Sequence, residues 1–508
     1  MQKKRFRYIP FRFIIAILLA LLEVVTIIGI VIAMCYYVPY FYIVALITQG
    51  FCILRIAASD DNPDYKVPWL IVVVTLPVVG YMLYFLFYSR KLKKKFIKRL
   101  NWIKSKRYIQ DDGELLENLT NKDVNAAATA KLLKSTANAH LFTNTRQEYF
   151  ASGKEMYRRL IADLESAQKF IYMEYFIIDD GEFWQSVLNV LKRKVKEGVE
   201  VKVLYDDIGC MKKLPGDYYK TLKSYGVEAA LFSYLKGNAD SEFNNRNHRK
   251  ITIIDGKIGY TGGLNIADEY INIIQPFGYW KDTAIRIEGE AVWELTKLFI
   301  IDFGISIRHE LNVRDDLYPM SSIKESGYLM PFGDGPNPIY KRRVGKSVIL
   351  NMVTNASKYV WITTPYLIID NDICTELETA ALKGVDVRII VPHIPDKKII
   401  FIMTRSYYPR LMAAGVKIYE YKPGFIHAKN YLVDDKQAIV GTINLDYRSL
   451  AHHFENGVWM YDCTSIHDIK TDMTNTLNAC ILVKEGFMKM TLLQRFICAI
   501  VRVFAQML

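Results

Sequence analysis

Two histidines, His248 and His427, each stand two residues before a lysine, seven before an aspartate, fourteen before a glycine and seventeen before an asparagine. The first set is His248, Lys250, Asp255, Gly262 and Asn265. The second is His427, Lys429, Asp434, Gly441 and Asn444, each 179 positions after its counterpart. Polar and special residues repeated in register point to chemistry, since packing alone would repeat an apolar face. An imidazole can attack phosphorus as a nucleophile or carry a proton, and a pair can divide those tasks. Two ammonium groups beside them can hold the charge of a phosphoryl transition state without a metal. The pairs suit phosphodiester exchange, provided the two halves of the chain face each other.

The elements around each motif explain how these groups would be aimed. His248 and Lys250, like His427 and Lys429, open an apolar run that reads as a strand, and residues two apart on a strand share a face. The Asp255-Gly256 and Asp434-Asp435 steps read as hairpin turns, so each aspartate falls at a strand end, where positioning is a better role than proton transfer. A second strand leads to Gly262-Gly263-Leu264-Asn265 or Gly441-Thr442-Ile443-Asn444, where glycine lets backbone amides approach a phosphate and asparagine adds donors. The repeat extends upstream. The segment from Ala167 answers that from Ala356, Gly198-Val199 answers Gly384-Val385, and Gly226-Val227 answers Gly415-Val416. Strands alternate with helices at 183–197 and 373–383, which gives an α/β sandwich in each half. Residues 315–338, rich in Gly, Pro and Ser, read as the linker between them.

These residues resemble the motif of the phospholipase D superfamily, and further segments are similar to bacterial cardiolipin synthases. They are Asn62-Pro63-Asp64-Tyr65-Lys66-Val67-Pro68-Trp69, residues 262–270, Trp280-Lys281-Asp282-Thr283, Thr363-Thr364-Pro365-Tyr366 and residues 441–449. The resemblance covers most of the chain, from about residue 60 to the end. It implies two tandem phospholipase D-type lobes related by a pseudo-two-fold axis, following a transmembrane helical region. It also implies transfer of a phosphatidyl group from one phosphatidylglycerol to another, giving cardiolipin and glycerol through a phosphatidyl-histidine. In that scheme His248 is the favoured nucleophile, and His427 protonates the leaving glycerol and then deprotonates the second lipid. Lys250, Lys429, Asn265 and Asn444 hold phosphoryl oxygens. Glu455, eleven residues after Asn444, and Asp282, seventeen after Asn265, orient the imidazoles. The superfamily often has serine after the motif glycine, where this chain has Gly263 and Thr442. No cofactor and no metal are expected. The other readings are a phospholipase D using water or another alcohol, a nuclease, and a non-catalytic scaffold for anionic lipid.

Composition places that chemistry at a membrane. Residues 13–34, 36–54 and 67–88 are apolar runs long enough to span a bilayer. The net charge of +13 is concentrated, with ten basic residues and no acid between Arg90 and Arg107. Such a run after an apolar segment marks the cytoplasmic side and attracts anionic headgroups. Its position argues against nucleic acid. Lys3, Lys4, Arg5 and Arg7 put the N-terminus on the same side, with Asp60 to Asp64 on the opposite one. Two basic ends require an even number of crossings, whereas three apolar runs suggest an odd one, and the expected resolution is that residues 13–54 cross only once in net terms. The expected domains are a membrane anchor (1–90), a basic linker (91–135), two lobes (136–314 and 339–485) joined by the linker, and an amphipathic tail (486–508). The seven cysteines form no Cys-x-x-Cys pair, and His140, His309, His393, His452, His453 and His467 lack metal-ligand spacing, which reads as structural or surface placement.

Overall fold

Strand order shows how far the internal repeat reaches. The computed structural model describes residues 11–59 except 39, 63–87, 112–232, 245–307, scattered positions between 309 and 318, 323–484 except 338 and 341, and 491–503. The first sheet contains β1 (Thr145–Phe150), β2 (Phe170–Tyr175), β3 (Glu200–Asp206), β4 (Glu228–Phe232), β5 (Lys250–Ile254), β6 (Ile258–Gly262) and β8 (Ala284–Gly289). The second contains β9 (Tyr328–Asp334), β10 (Tyr359–Thr363), β12 (Asp386–Pro392), β13 (Lys417–Tyr421), β15 (Asn430–Val433), β16 (Gln437–Gly441), β18 (Glu455–Tyr461) and β19 (Cys480–Leu482). The first runs β1-β8-β6-β5-β2-β3-β4 and the second β9-β18-β16-β15-β10-β12-β13-β19. The same seven-strand order thus occurs twice, and β19 extends the second copy.

In each sheet three parallel strands (β2-β3-β4, β10-β12-β13) meet an antiparallel motif hairpin (β5-β6, β15-β16). Parallel neighbours need crossovers, and helices such as Glu182–Lys196 and Asn371–Leu382 supply them. Asp370 caps the latter by accepting from the Ile373 amide. The helix Val292–Ile307 is buried along much of its length, and its residues join those of both sheets in one apolar core. The lobes therefore fold as one body.

Three expected boundaries are corrected. Residues 315–338 are not only a linker, since β9 pairs along its length with β18. Pro331 and Gly333 disguise it, yet proline is tolerated because β9 is an edge strand. The expected linker 91–135 contains helices Gly113–Lys122 and Val124–Ala137, and Thr129 of the second bonds Gln437 of β16. Residues 88–111, with the basic run, lie outside the described set.

The third correction concerns the apolar start. It forms α1 (Phe11–Tyr37), α2 (Phe41–Ala57), α3 (Pro63–Thr75) and α4 (Val79–Phe87), so the run 67–88 is two helices broken at Pro77, which has no amide to continue a helix. Not every side chain of α1 is described. Among the described residues, no helix is long and apolar enough to cross a membrane. Asp64, expected across the membrane from the lobes, instead accepts from the Asn371 amide at 3.0 Å and the Tyr447 hydroxyl at 3.3 Å, both in the second lobe. The start of α3 is therefore docked on the catalytic body. The tail forms the helix Leu492–Val503, with Arg502 over the Tyr407 ring.

Candidate active site

Each motif histidine lies in an extended segment just before its strand, and that segment is stitched to the other half of the chain. The His248 amide donates to the Phe454 carbonyl at 2.9 Å, and the Phe454 amide returns a bond to Arg246 at 2.8 Å. In the mirror arrangement β14 (Gly424–Ile426) pairs with β7 (Tyr279–Lys281), and the His427 amide donates to the Lys281 carbonyl at 2.7 Å. The carboxylates are exchanged accordingly. Glu455, from the second half, holds His248 Nδ1 at 2.9 Å, and Asp282, from the first, holds His427 Nδ1 at 2.6 Å. The family resemblance picked out both acids but carried no sign of this crossing.

With Nδ1 donating to a carboxylate, the other ring nitrogen, Nε2, is left for reaction. Lys250 Nζ donates to the His248 carbonyl at 2.6 Å, and Lys429 Nζ donates to the His427 carbonyl. Lys429 Nζ also lies 2.8 Å from His427 Nδ1, but that nitrogen is committed as donor to Asp282, so the carbonyl is the lysine's partner. Both imidazoles and both ammonium groups are buried. Burial lowers the His248 pKa well below the ordinary imidazole value, with further depression from Lys250, Lys429 and His427. Burial and then Lys429 bring His427 down to about 4, against the opposing pull of Asp282. Lys250 falls to about 7 and Lys429 to about 8, both chiefly through burial, with Glu455 and Asp282 opposing. The four groups thus feel one another within one site, where the two ammonium groups can meet a phosphate anion.

The remaining motif residues fall into place unevenly. Asp255 and Asp434 sit at their hairpin ends in left-handed backbone, both at φ 54°. Asp255 accepts from the amides of Gln168, Lys169 and Phe170, and Asp434 from those of Ser357, Lys358 and Tyr359. They fasten the hairpin to the start of β2 or β10, away from the imidazoles. Asn265 is bound to the Ile177 amide at 3.0 Å and to the Tyr270 hydroxyl at 2.6 Å. Asn444 keeps a buried side-chain oxygen without a hydrogen bond. Gly262 and Gly441 lie hard against neighbouring strands, where a Cβ would meet the Thr283 and Asn456 carbonyl oxygens at 2.4 Å. Their first duty is close strand packing. At Gly263 a Cβ would lie 2.0 Å from the Asp282 carboxylate, whereas the Thr442 hydroxyl donates to Glu455.

The sequence of the chain matches the family described as "Cardiolipin synthase, PLD-like domain" over residues 160–285 and 349–477, and "Phospholipase D-nuclease N-terminal" over 43–87. Its relatives include an uncharacterized protein of Streptococcus mutans, 40% identical over 84% of this chain and 92% of that one. Cardiolipin synthases of Halalkalibacterium halodurans and Alkalihalophilus pseudofirmus are each 36% identical, covering 86% and 82% of this chain and 87% and 83% of theirs. This chain belongs to the cardiolipin synthase family. It is a phosphatidyltransferase with a phospholipase D-like catalytic body. A solved phosphatidylserine synthase of Haemophilus influenzae shares the fold, with a TM-score of 0.58, 17% identity, and coverage of 75% of this chain and 98% of that one.

Within this cardiolipin synthase fold the structure adds residues that spacing alone missed. Ser449 Oγ donates to Glu455 at 2.7 Å, so with Thr442 and His248 the carboxylate accepts from three side chains. His453, read from sequence as structural or surface, has its ring centroid 5.4 Å from that of His248 and its Nδ1 3.6 Å from the Glu455 carboxylate, beyond hydrogen-bond distance. His248, His453 and Glu455 each offer one possible metal-ligand atom within 4.8 Å of the others. Glu455 is already engaged by three donors, so a cation there would compete with the bond that orients His248. Around His427 the neighbours are rings. Tyr270, Trp280 and Phe425 have centroids 5.5, 5.5 and 5.9 Å away. Their only shared sequence signal was proximity to Asp282 and to the motif histidine.

Proposed function

We propose that this enzyme transfers a phosphatidyl group from one phosphatidylglycerol to the terminal hydroxyl of another, giving cardiolipin and glycerol. The observation that carries this reading is the pair of buried imidazoles, each oriented through Nδ1 by a carboxylate of the opposite half, with a lysine beside each. His248 Nε2 attacks the phosphorus of the first lipid. Entry of the anionic phosphodiester favours the charged form of His427, and the bond from phosphorus to the glycerol oxygen breaks as the His427 imidazolium gives that oxygen a proton. His427 then removes the proton from the second lipid's hydroxyl, whose oxygen displaces His248 from phosphorus. One phosphodiester replaces another, so no nucleotide is needed.

The division of labour follows from the surroundings. Glu455 spreads its charge over three side-chain donors, whereas Asp282 takes from His427 and the Thr283 amide. The less shared carboxylate better supports an imidazolium, which suits His427 to hold the mobile proton. Lys250 and Lys429 regain full charge when the anionic phosphodiester enters and stabilise its equatorial oxygens. Asn265, Asn444 and nearby backbone amides complete the phosphate's surroundings, and α1 to α4 hold the enzyme at a bilayer with the catalytic body on the cytoplasmic side. Supplied with phosphatidylglycerol vesicles, the purified enzyme should release cardiolipin and glycerol in equal amounts. Phosphatidic acid as the main product would make it a hydrolase, and no lipid turnover would sink the enzymatic reading.

A further inference from the structure

The first four helices do not fold as three equal spans. Trp69 and Tyr84 stack edge to face with centroids 5.5 Å apart, while Gly80 lies so close to the Val72 carbonyl that a Cβ would come within 2.4 Å of it. Residue 80 therefore meets 72 and residue 84 meets 69, which is the register of an antiparallel helical hairpin. Its turn, at Leu76 to Val78, places Val78 at φ 64°, a conformation that a β-branched residue rarely adopts. Pro77 has no N–H, so the Val73 carbonyl loses its ordinary helical donor. Gln49 of α2, buried by the packing, supplies it: Nε2 donates to Val73 O at 2.6 Å and to Val74 O at 3.3 Å. A break in helical backbone is tolerated inside a bilayer only where its carbonyls are satisfied by protein. This turn is built to that requirement.

The other end of α3 is anchored in the catalytic body. Besides the bonds of Asp64, the Tyr65 ring is buried between Tyr447, His452 and the guanidinium of Arg343, at 5.8, 6.2 and 4.2 Å. At 1.5 Å per residue, the thirteen residues of α3 and the nine of α4 reach about 20 and about 14 Å. Neither spans a hydrocarbon core of about 30 Å, but each suits one leaflet. Val67, Ile71, Val74, Leu76 and Phe85 are exposed along the hairpin and give it an apolar surface that no other described residue covers.

We infer that α3 and α4 form a re-entrant hairpin that enters only the lipid leaflet facing the catalytic body and leaves on the side it entered. The inference rests on the membrane-anchored reading above. It replaces the expectation that residues 13–54 cross only once in net terms, because the third apolar run then adds no crossing and the first two runs must supply an even number for the basic N-terminus and the basic run after Tyr88 to share one side. It also sets the depth of the active site. Tyr65 packs on Tyr447, which begins the short helix carrying Ser449, and Ser449 bonds the carboxylate that orients His248. The catalytic pocket is thereby tied to the headgroup level of that same leaflet.

Single cysteines at Ser59, Leu76, Ser89 and the lobe position Lys436, in a cysteine-free but active full-length background, test the inference with an impermeant maleimide on spheroplasts and on inverted vesicles. Cysteines at 59, 89 and 436 should all react in the same preparation, and the one at 76 only after detergent. Reaction of 59 or 89 from the side opposite 436, or of 76 from that opposite side without detergent, would overturn the hairpin. Reaction of 76 from the lobe side without detergent would also overturn it, since the tip would then lie outside the leaflet. Recovery of the protein in an alkaline carbonate supernatant would instead remove the membrane-anchored reading, and the hairpin with it.

Discussion

Around His248 one ring, Phe176 at 5.1 Å, stands among polar neighbours, whereas around His427 three rings gather at 5.5 to 5.9 Å. Glu455 serves His248 while bonded to Thr442 and Ser449, His453 stands beside the ring, and behind it Arg246 and Asp206 form a buried ion pair at 2.7 Å. One step deeper, Asn247 links Glu174 and Asp302, and burial with the neighbouring Asp302 charge pushes the Glu174 carboxyl well above its ordinary range. The positions equivalent to Arg246 and Asn247, 179 residues later, are Phe425 and Ile426. His427 has Asp282 and three rings. Duplication has thus kept the reacting groups while their supports diverged. The proposed two-step reaction would profit from that, with one imidazole bonding to phosphorus while the other shuttles a proton.

The largest effect should come from the histidines themselves. His248→Ala should leave no measurable cardiolipin formation, with the melting temperature nearly unchanged. His427→Ala should lose about 10²- to 10⁴-fold on the natural lipid, the range for a missing general acid. A phosphodiester with a nitrophenol leaving group, which needs no proton, should restore the first step in His427→Ala but not in His248→Ala. Equal rescue of both would erase the proposed division.

Next come the carboxylates. Asp282→Asn should lower kcat more than Glu455→Gln, since Asp282 has fewer other donors and supports the proton carrier. The reverse order in steady-state kinetics would mean that the two half-sites have been assigned the wrong way round.

A smaller effect concerns pH. The lysine pKa values are lowered by burial to about 7 and about 8, so their charge is present below that range and is lost as pH rises through it. The value of kcat/KM, which reports the free enzyme, should fall on the alkaline side from about pH 7 to 8. Glu455 is the leading influence that raises Lys250, so Glu455→Gln should move that limb to lower pH. A pH profile of the variant with an unmoved limb would show that the lysine charge does not govern binding.

The smallest effect is expected at His453. Its Nδ1 lies 3.6 Å from Glu455, too far for a hydrogen bond, so His453→Phe should cost about tenfold or less in kcat/KM. A loss as deep as that of His248→Ala would place His453 among the reacting groups.

The parts of this arrangement that were legible in sequence are those fixed by local spacing. The histidine-lysine pairs, the hairpins ending at Asp255 and Asp434, and the strand-helix alternation all follow from periods of a few residues. Asp282 and Glu455 could be picked out by resemblance, but their exchange between halves depends on β14 meeting β7 across the interface, which no local pattern encodes. His453 stayed hidden because its role depends on a neighbour 205 positions away. β9 was masked by Pro331, which an edge strand tolerates, and Asp64 was misplaced because charge counting cannot detect a hydrogen bond to Asn371.

Whether His248 carries the phosphatidyl group and His427 the proton can be decided by rapid acid-free quench and peptide mass spectrometry. His427→Ala should be mixed with the nitrophenyl phosphodiester of phosphatidic acid. One equivalent of nitrophenol per enzyme is expected, with a phosphatidyl adduct on the peptide containing His248 and no adduct in His248→Ala. An adduct on His427 in the His248→Ala enzyme, with none on His248 in the other, would contradict that assignment.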